Sequence, residues 1–451
     1  MKVIVIGDGK VGTAIISHIC KEGHDVCIVD SNPKVVEEMV NKYDVMGITG
    51  NGASYEILES AGADKADIAI AATSSDEVNI LTCMIAKKLG TKETTARVRS
   101  YEYNLQKEKL ARDFGIDLTI NPEDEAAKEI YKVITFPEAN RVDTFANGKV
   151  DLIELYIPEN NQLIGKKLYE IQKLYGVKLL VCAVSRGNEV IIPDGSFVFQ
   201  AKDKINVTAR RGEIKTFLNK LGLIESKIKS ILIIGGGRIS HYLAEDLLKN
   251  KMDVKIIEKD YDRCLELSEL LPGASIIHGD GTDQTVLNEE GINDCDCLVA
   301  LTGIDEENII ISMYANKLGV QKIVTKVNNP SFASLIESIG VASVISPKEI
   351  TAARMLRYIR ATNNARGNNI LTLYKIVNGE VEAIEFIAKE NTKMLNVPLK
   401  DLKLKKKILI AGIIRDDSVI VPSGNDVIQM NDRVIVVSTN QFLDDLSDIL
   451  E

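Results

Sequence analysis

Gly7-Asp8-Gly9-Lys10-Val11-Gly12 is a G-x-G-x-x-G loop, and Asp30 follows its last glycine by 18 residues. The loop comes after an apolar run, Val3–Ile6, and opens an apolar helical face. Alone the pattern is weak; in that setting it is a full dinucleotide-binding constellation. Gly7 permits the tight turn, Gly9 lets the backbone approach a pyrophosphate, and Gly12 lets the helix pack close to the strand. The phosphates then rest on unpaired N–H groups at the positive end of the helix. Asp30, at the tip of the second strand, accepts from both ribose hydroxyls and repels a 2′-phosphate, which favours NAD-type or adenosine ligands over NADP. The competing reading is a core that keeps its turn glycines for packing and binds nothing.

The same constellation is written again 228 residues on, as Gly235-Gly236-Gly237-Arg238-Ile239-Ser240 with Glu258 in place of Asp30. Ser240 replaces the third glycine, which tightens helix packing without removing a phosphate donor. Lys10 and Arg238 hold matching positions, either neutralising a pyrophosphate or standing as solvated charges at a helix start. Gly50-Asn51-Gly52 returns as Gly279-Asp280-Gly281. Thr73, Asp76, Glu77 and Asn79 return as Thr302, Asp305, Glu306 and Asn308. Thr73-Ser74 and Thr302-Gly303 end a strand, lying along a nucleotide or capping that strand end. Arg97 and Lys326 end the next strand, where carboxyl ends face a ligand crevice. They contact phosphate or ribose there, or pair with a neighbouring acid.

These loops need strands and helices to hold them. Val3–Ile6, Val26–Val29, Val45–Ile48, Ile68–Ala71, Thr95–Val98 and Leu118–Ile120 read as strands with helices between them. A long helix starts at Pro122. Strands alternating with helices predict a doubly wound parallel sheet. Beyond residue 140 the texture changes to short strands at 152–157, 179–184, 190–192 and 205–208. They are separated by Arg186-Gly187-Asn188 and Pro193-Asp194-Gly195, with one helical stretch at Lys166–Leu174. Arg186, Pro193, Gly195 and Asp203 recur as Arg415, Pro422, Gly424 and Asp432. The fold class expected is therefore α/β, a tandem duplication of a Rossmann-like domain plus a small α+β domain. The expected domains are 1–139 and 228–365 (Rossmann-like) and 140–227 and 366–451 (small α+β). Asn147-Gly148 and Arg366-Gly367-Asn368-Asn369 read as punctuation ahead of the small domains.

Composition narrows the function. The 451 residues carry 55 Lys+Arg against 65 Asp+Glu, a net charge of −10. That balance is poor for gripping nucleic-acid phosphate or an anionic membrane surface. There is no Trp, and 5% aromatic content leaves little for base-stacking platforms. The N-terminal apolar run is too short for a signal peptide, and no run approaches a membrane span. Seven cysteines, mostly within apolar patterns, read as reduced cytoplasmic thiols. Cys295-Asp296-Cys297 lacks a second pair at zinc spacing and reads as structural. The four histidines, His18, His24, His241 and His278, all lie in the Rossmann-like parts. His18 sits on a helical face and reads as packing. The small domains contain one cysteine, Cys182, and no evident acid/base group, whereas hydride transfer needs one beside its substrate. A dehydrogenase with substrate between domains is the rival reading, and a scaffold that only tethers partners is a third.

Taken together, Gly7–Gly12 with Asp30, Gly50–Ala53, Thr73–Asn79, Ala96-Arg97-Val98 and their second copies resemble the potassium-transport nucleotide-binding family, also called RCK domains. Leu163–Leu168 and Arg186 with Pro193-Asp194-Gly195 resemble that family's C-terminal ligand domain. The resemblance covers essentially the whole chain. It implies a non-enzymatic, cytoplasmic regulatory subunit, peripheral on the inner face of the membrane through a membrane-embedded potassium transporter subunit. It implies a homo-oligomeric ring, NAD(H) and also ATP or ADP at the glycine loops, no nucleic acid and no direct membrane insertion. Asp8 departs from the pattern by placing a negative charge near the phosphates, Ser240 departs in the second loop, and Met394–Leu399 lacks a Gly-Lys pair, leaving that small domain a structural role.

Overall fold

The computed structural model describes the chain except for residues 8, 22, 136–138, 146–149, 188, 211–212, 223–227, 330, 333–335, 337–342, 365–369, 378–379, 417, 440–442 and 444. Asp8 and the boundary signals at 147–148 and 366–369 thus lie outside the described residues.

Six strands of the first half, β1 (Lys2–Ile6), β2 (Asp25–Asp30), β3 (Met46–Thr49), β4 (Ile68–Ala71), β5 (Glu93–Arg97) and β6 (Leu118–Ile120), form one parallel sheet. Its order is β3-β2-β1-β4-β5-β6. The helices are α1 (Lys10–Lys21), α2 (Pro33–Tyr43), α3 (Tyr55–Ser60), α4 (Asp76–Leu89), α5 (Tyr101–Leu105), α6 (Lys107–Phe114) and α7 (Pro122–Thr135). Central strands buried on both faces explain the unbroken apolar runs: Val3, Ile4, Val5 and Ile6 are all buried. Helix starts are written locally. Asn32 accepts from Lys34 N–H ahead of Pro33, and Ser75 accepts from Val78 N–H. The strand order reverses between β1 and β4, so a crevice opens at their carboxyl ends.

The first antiparallel sheet uses β7 (Ala139–Phe145), β8 (Val150–Tyr156), β9 (Leu179–Arg186), β10 (Glu189–Ile191) and β11 (Lys204–Arg210), in the order β10-β9-β11-β8-β7. Helices α8 (Ile171–Tyr175) and α9 (Glu213–Lys220) accompany it. Strand β7 and helix α9 are not expected from sequence: β7 carries only a few apolar residues among polar ones, and α9 is eight residues long, so neither shows a strong apolar period.

The second half repeats this. A parallel sheet of order β14-β13-β12-β15-β16-β17 contains β12 (Ser230–Ile234), β13 (Asp253–Glu258), β14 (Ser275–His278), β15 (Cys297–Ala300), β16 (Lys322–Lys326) and β17 (Ser343–Ile345). Its helices include α10 (Arg238–Lys249), α11 (Tyr261–Leu270), α12 (Gln284–Glu289), α13 (Asp305–Lys317) and α14 (Pro347–Asn364). The last sheet, β18 (Ile370–Ile376), β19 (Val381–Ile387), β20 (Ile408–Arg415), β21 (Ser418–Ile420) and β22 (Arg433–Ser438), has the order β18-β19-β22-β20-β21, the same topology as the first antiparallel sheet. The α/β class and its tandem duplication therefore stand.

The chain divides into two compact units, Met1–Tyr131 with Lys229–Ile359, and Lys132–Ile228 with Arg360–Glu451. In the first unit the second half lends a helix to the first. Ile15 and Ile19 of α1 share a core with Ala352, Met355, Leu356 and Ile359 of α14. His18, read from sequence as packing, instead sets Nε2 3.0 Å from Glu349 Oε2. In the second unit, Val150, Leu152, Cys182 and Ala183 pack with Val381, Ala383, Ile435 and Val437. Arg186 Nε donates to buried Asp203 at 2.7 Å, and Arg415 Nε to Asp432 at 2.9 Å. The repeated Arg and Asp of the small domains are thus an internal clamp, each a bidentate pair through the Nε edge of the guanidinium.

Candidate nucleotide site

Both glycine loops sit at the strand-order reversal. Gly7 has φ +89°, and its N–H donates to Val29 O at 2.8 Å. A Cβ built there would lie 2.7 Å from Thr73 N, so only glycine lets β1 turn beside the end of β4. Gly235 repeats this, with φ +95° and a Cβ position 3.0 Å from Leu301 O. Gly9 and Gly237 differ in kind, because a Cβ on either meets nothing within 4 Å. Lys10 opens α1, its side chain lying outside the described residues; Val11 and Gly12 are buried behind it. Ser240 is fully buried and donates its hydroxyl to Gly235 O, tying helix α10 to the loop where the first half has only a glycine. Ile239 is buried beside it, and Arg238 begins the helix.

The two acids at the ends of β2 and β13 differ. Asp30 accepts from Asn32 N–H at 2.8 Å, and its carbonyl takes Gly50 N–H at 2.9 Å. Glu258, one methylene longer, reaches the loop itself. Its Oε2 accepts from Gly236 N–H and its Oε1 from Asp260 N–H at 2.8 Å. Asn51 and Asp280 turn the next loops by accepting from Ala53 N–H and Thr282 N–H, each at 3.0 Å. Asp280 also pairs with Lys259 at 2.6 Å, and that bond holds its pKa far below the ordinary carboxylate value.

Thr73, Arg97 and their copies are held by a residue the sequence reading left outside the site. Asn79 Oδ1 accepts from Thr73 N–H at 2.8 Å and from its hydroxyl at 2.7 Å. Asn79 Nδ2 donates to Thr73 O at 3.2 Å and Arg97 O at 2.9 Å. Asn308 makes the same bonds to Thr302 N–H, Thr302 O and Lys326 O. One buried amide per half therefore joins two strand ends, which explains the repeated Thr…Asn spacing. Arg97 is buried and donates to Thr73 O; Lys326 Nζ lies 3.4 Å from Leu301 O. Burial, and then the neighbouring Arg99, lower the Arg97 pKa, and its Nε has no partner among the described residues. Asp76 accepts from Arg99 N–H and Ser100 N–H at 2.8 and 2.7 Å, shaping the loop after β5.

A cavity of about 200 Å³ opens there, lined by Ser74, Ser75, Asp76, Glu77, Arg99, Ser100 and Arg238. It brings Ser74 of the first half together with Arg238 of the second. Arg99 also pairs with buried Glu123. The register Arg97↔Ile120 and Lys326↔Ile345 puts Asn328 opposite Arg99 and Lys348 opposite Glu123. The charged pair therefore exists only in the first half. Sequence reading missed Arg99 because it lies outside the repeated motifs, and that asymmetry was itself the available signal.

Helix α10 links this cavity to the second loop. Tyr101 Oη donates to Glu245 at 2.7 Å and its ring lies 4.7 Å from His241; Asn121 Nδ2 donates to Tyr242 Oη at 2.9 Å. Burial lowers the His241 pKa below its ordinary 6.5, with Glu245 opposing and Arg263 reinforcing. A histidine depressed on folding gives stability that is complete above the unfolded value and lost as pH falls through it. Melting temperature is accordingly expected to fall between about pH 7 and 5, with part of that slope abolished in His241→Gln. An identical slope in the variant refutes the assignment.

Among the described residues no cluster of His, Cys, Asp or Glu could hold a metal ion, and no helix is long and apolar enough to cross a membrane. The TrkA-N domain family matches residues 3–122 and 231–347, and the TrkA-C domain family matches 152–222 and 383–451. The chain is 33% identical over 442 residues to the Trk system potassium uptake protein TrkA of Halomonas elongata, covering 97% of this chain and 95% of that one. It is 34% identical over 444 residues to TrkA homolog 2 of Methanosarcina mazei, covering 97% of each. The solved GsuK channel bound to NAD shares the fold at TM-score 0.63 and 16% identity, over 97% of this chain and 77% of that one.

Proposed function

The chain belongs to the TrkA family of Trk system potassium uptake proteins, and we propose that it gates a membrane-embedded potassium transporter in response to NAD(H), ATP or ADP. The family is one of transport regulators and not of hydride-transfer enzymes, which closes the dehydrogenase reading. Each repeat pairs a nucleotide domain (1–139, 228–365) with a small domain (140–227, 366–451). The observation that carries the reading is the cavity where Ser74, Ser75, Ser100, Arg99 and Arg238 converge, with Asp76 and Glu77 also in its wall. Hydroxyls and guanidinium groups of that kind suit phosphate oxygens.

In this reading Gly7, Gly9 and Gly12 seat the pyrophosphate at the start of α1, and Asp30 accepts the ribose hydroxyls. Gly50, Asn51, Thr73, Ser74 and Arg97 border the nucleotide. Gly235, Gly236, Gly237, Ile239, Glu258, Asp280, Thr302 and Lys326 form the second site. The NAD bound by the similar GsuK channel supports that choice of ligand. Arg238 contributes to the first half's cavity, so a ligand there touches both halves and shifts their arrangement by its differential affinity. Leu81 on α4 and Ile310 on α13 are exposed at matching positions, and Met313 on α13 is exposed as well. They offer an apolar face for the homo-oligomer, which sits on the cytoplasmic side under its transporter subunit.

Calorimetric titration with NAD, NADH, ATP and ADP tests the reading. Asp30→Ala is expected to weaken NADH binding by roughly tenfold or more, the value of hydrogen bonds to a charged acceptor. No binding by folded wild-type protein sinks the sensing role, and an unchanged affinity in the variant removes Asp30 from the site.

A further inference from the structure

Gly236 is held from both sides. Its N–H is taken by Glu258 Oε2, and its carbonyl accepts from Arg263 Nε at 2.7 Å. Arg263 stands on α11, with only 22% of its side chain exposed, and its outer edge pairs with Glu266. The peptide planes flanking Gly236 are therefore fixed by one guanidinium on one side and one carboxylate on the other. A Cβ on Gly236 would lie 2.5 Å from Leu267 Cδ1, so the loop is seated on α11 by packing as well.

The consequence falls on Glu258. A carboxylate has about four acceptor positions. Here each oxygen spends one on a backbone N–H, Gly236 for Oε2 and Asp260 for Oε1. Each oxygen keeps one lone pair, which matches the two hydroxyls of a ribose cis-diol. The orientation depends on Gly236 N–H facing Glu258. The 235–236 peptide that carries this N–H is held at its carbonyl by Ser240, and Arg263 fixes the next peptide through the Gly236 carbonyl, which closes off rotation about Gly236. The corresponding residue of the first half is Val35, which carries no donor. Both loops carry an acid, and at the position of Arg263 the first half has an apolar side chain.

We propose that Arg263 is a positioning residue that orients the Gly236 peptide and Glu258 so that the second half reads an intact ribose diol. This rests on the nucleotide reading of that half. It makes the second site selective for ribonucleotides over deoxyribonucleotides through a residue that touches no part of the ligand.

The test uses the full-length chain, ADP and 2′-deoxy-ADP, with hydrogen exchange of the peptide covering residues 231–245 to report binding at the second loop. Wild type is expected to prefer ADP by roughly tenfold, one charge-assisted hydrogen bond. Arg263→Ala is expected to bring that preference close to unity while 2′-deoxy-ADP binding changes by less than about threefold. Arg263→Gln keeps a donor for the Gly236 carbonyl and is expected to restore part of the preference; it is also the variant to read if the alanine form does not fold. An ADP preference unchanged in both variants, or an equal loss for both ligands, overturns the assignment while leaving nucleotide binding intact. Absence of ADP protection at 231–245 in the wild-type protein overturns the nucleotide reading of this half, and the assignment with it.

Discussion

Gly7→Ala is expected to cost the first parallel-sheet domain about 3 kcal/mol or more, whereas Gly9→Ala changes stability by less than about 1 kcal/mol and abolishes nucleotide binding. The two glycines lie in one loop, yet they face different constraints. At position 7 the backbone is left-handed, and a methyl group would lie 2.7 and 2.8 Å from Thr73 N and Cα. Those atoms are backbone at the end of β4, so relief requires separating β1 from β4 where their ladder is buried. At position 9 the same methyl meets nothing. It would instead occupy the space through which a pyrophosphate approaches. Thermal unfolding separates the two effects, and titration with NADH completes the pair. A Gly7→Ala protein as stable as wild type contradicts the steric assignment. A Gly9→Ala protein that binds NADH as wild type does removes the loop from the ligand.

Asn79→Leu is the second large effect, expected to cost about 3–5 kcal/mol and to lower the melting temperature by on the order of 10 °C. Leucine keeps the branched outline but is larger, so overpacking adds to a penalty that is chiefly polar. Asn79 is fully buried, and every donor and acceptor position of its amide is used. Its removal leaves Thr73 N–H and Arg97 O without their side-chain partner, each worth about 1–3 kcal/mol when buried. Thr73 precedes Ser74 and Ser75, which line the cavity, so nucleotide binding is expected to fall more than stability alone accounts for. Asn308→Leu makes the matching change in the second half. Melting curves of either variant that overlay wild type discard the clamp.

The glycine loops, their acids and the sheet class were legible because they are local. A turn with positive φ demands glycine, and strands buried on both faces demand unbroken apolar runs. The duplication was legible because short motifs recur at a nearly constant spacing. What escaped depends on side chains meeting from distant elements. Arg263 lies five residues beyond Glu258 and reaches back to Gly236, a contact set by how α11 packs. His18 looked like one more residue on a helical face, and its partner Glu349 comes from the other half of the chain. Asn79 was seen to recur, but only the structure shows that it ties two strand ends together. Strand β7 and helix α9 escape because their apolar periods are weak: β7 is mostly polar and α9 spans only about two turns, although Pro137, Gly148, Gly212 and Gly222 flank them.

The duplication gives one polypeptide the content of a dimer, two copies of each kind of sheet. In a true dimer of identical subunits every substitution is made twice, on both sides of the axis at once. A fused pair is free of that rule. Arg99 corresponds to Asn328, Glu123 to Lys348 and Arg263 to Val35, three places where the two copies have become unequal. One gene can thus specialise its two receptors independently, one for charge at the shared cavity and one for the sugar, without any change in stoichiometry.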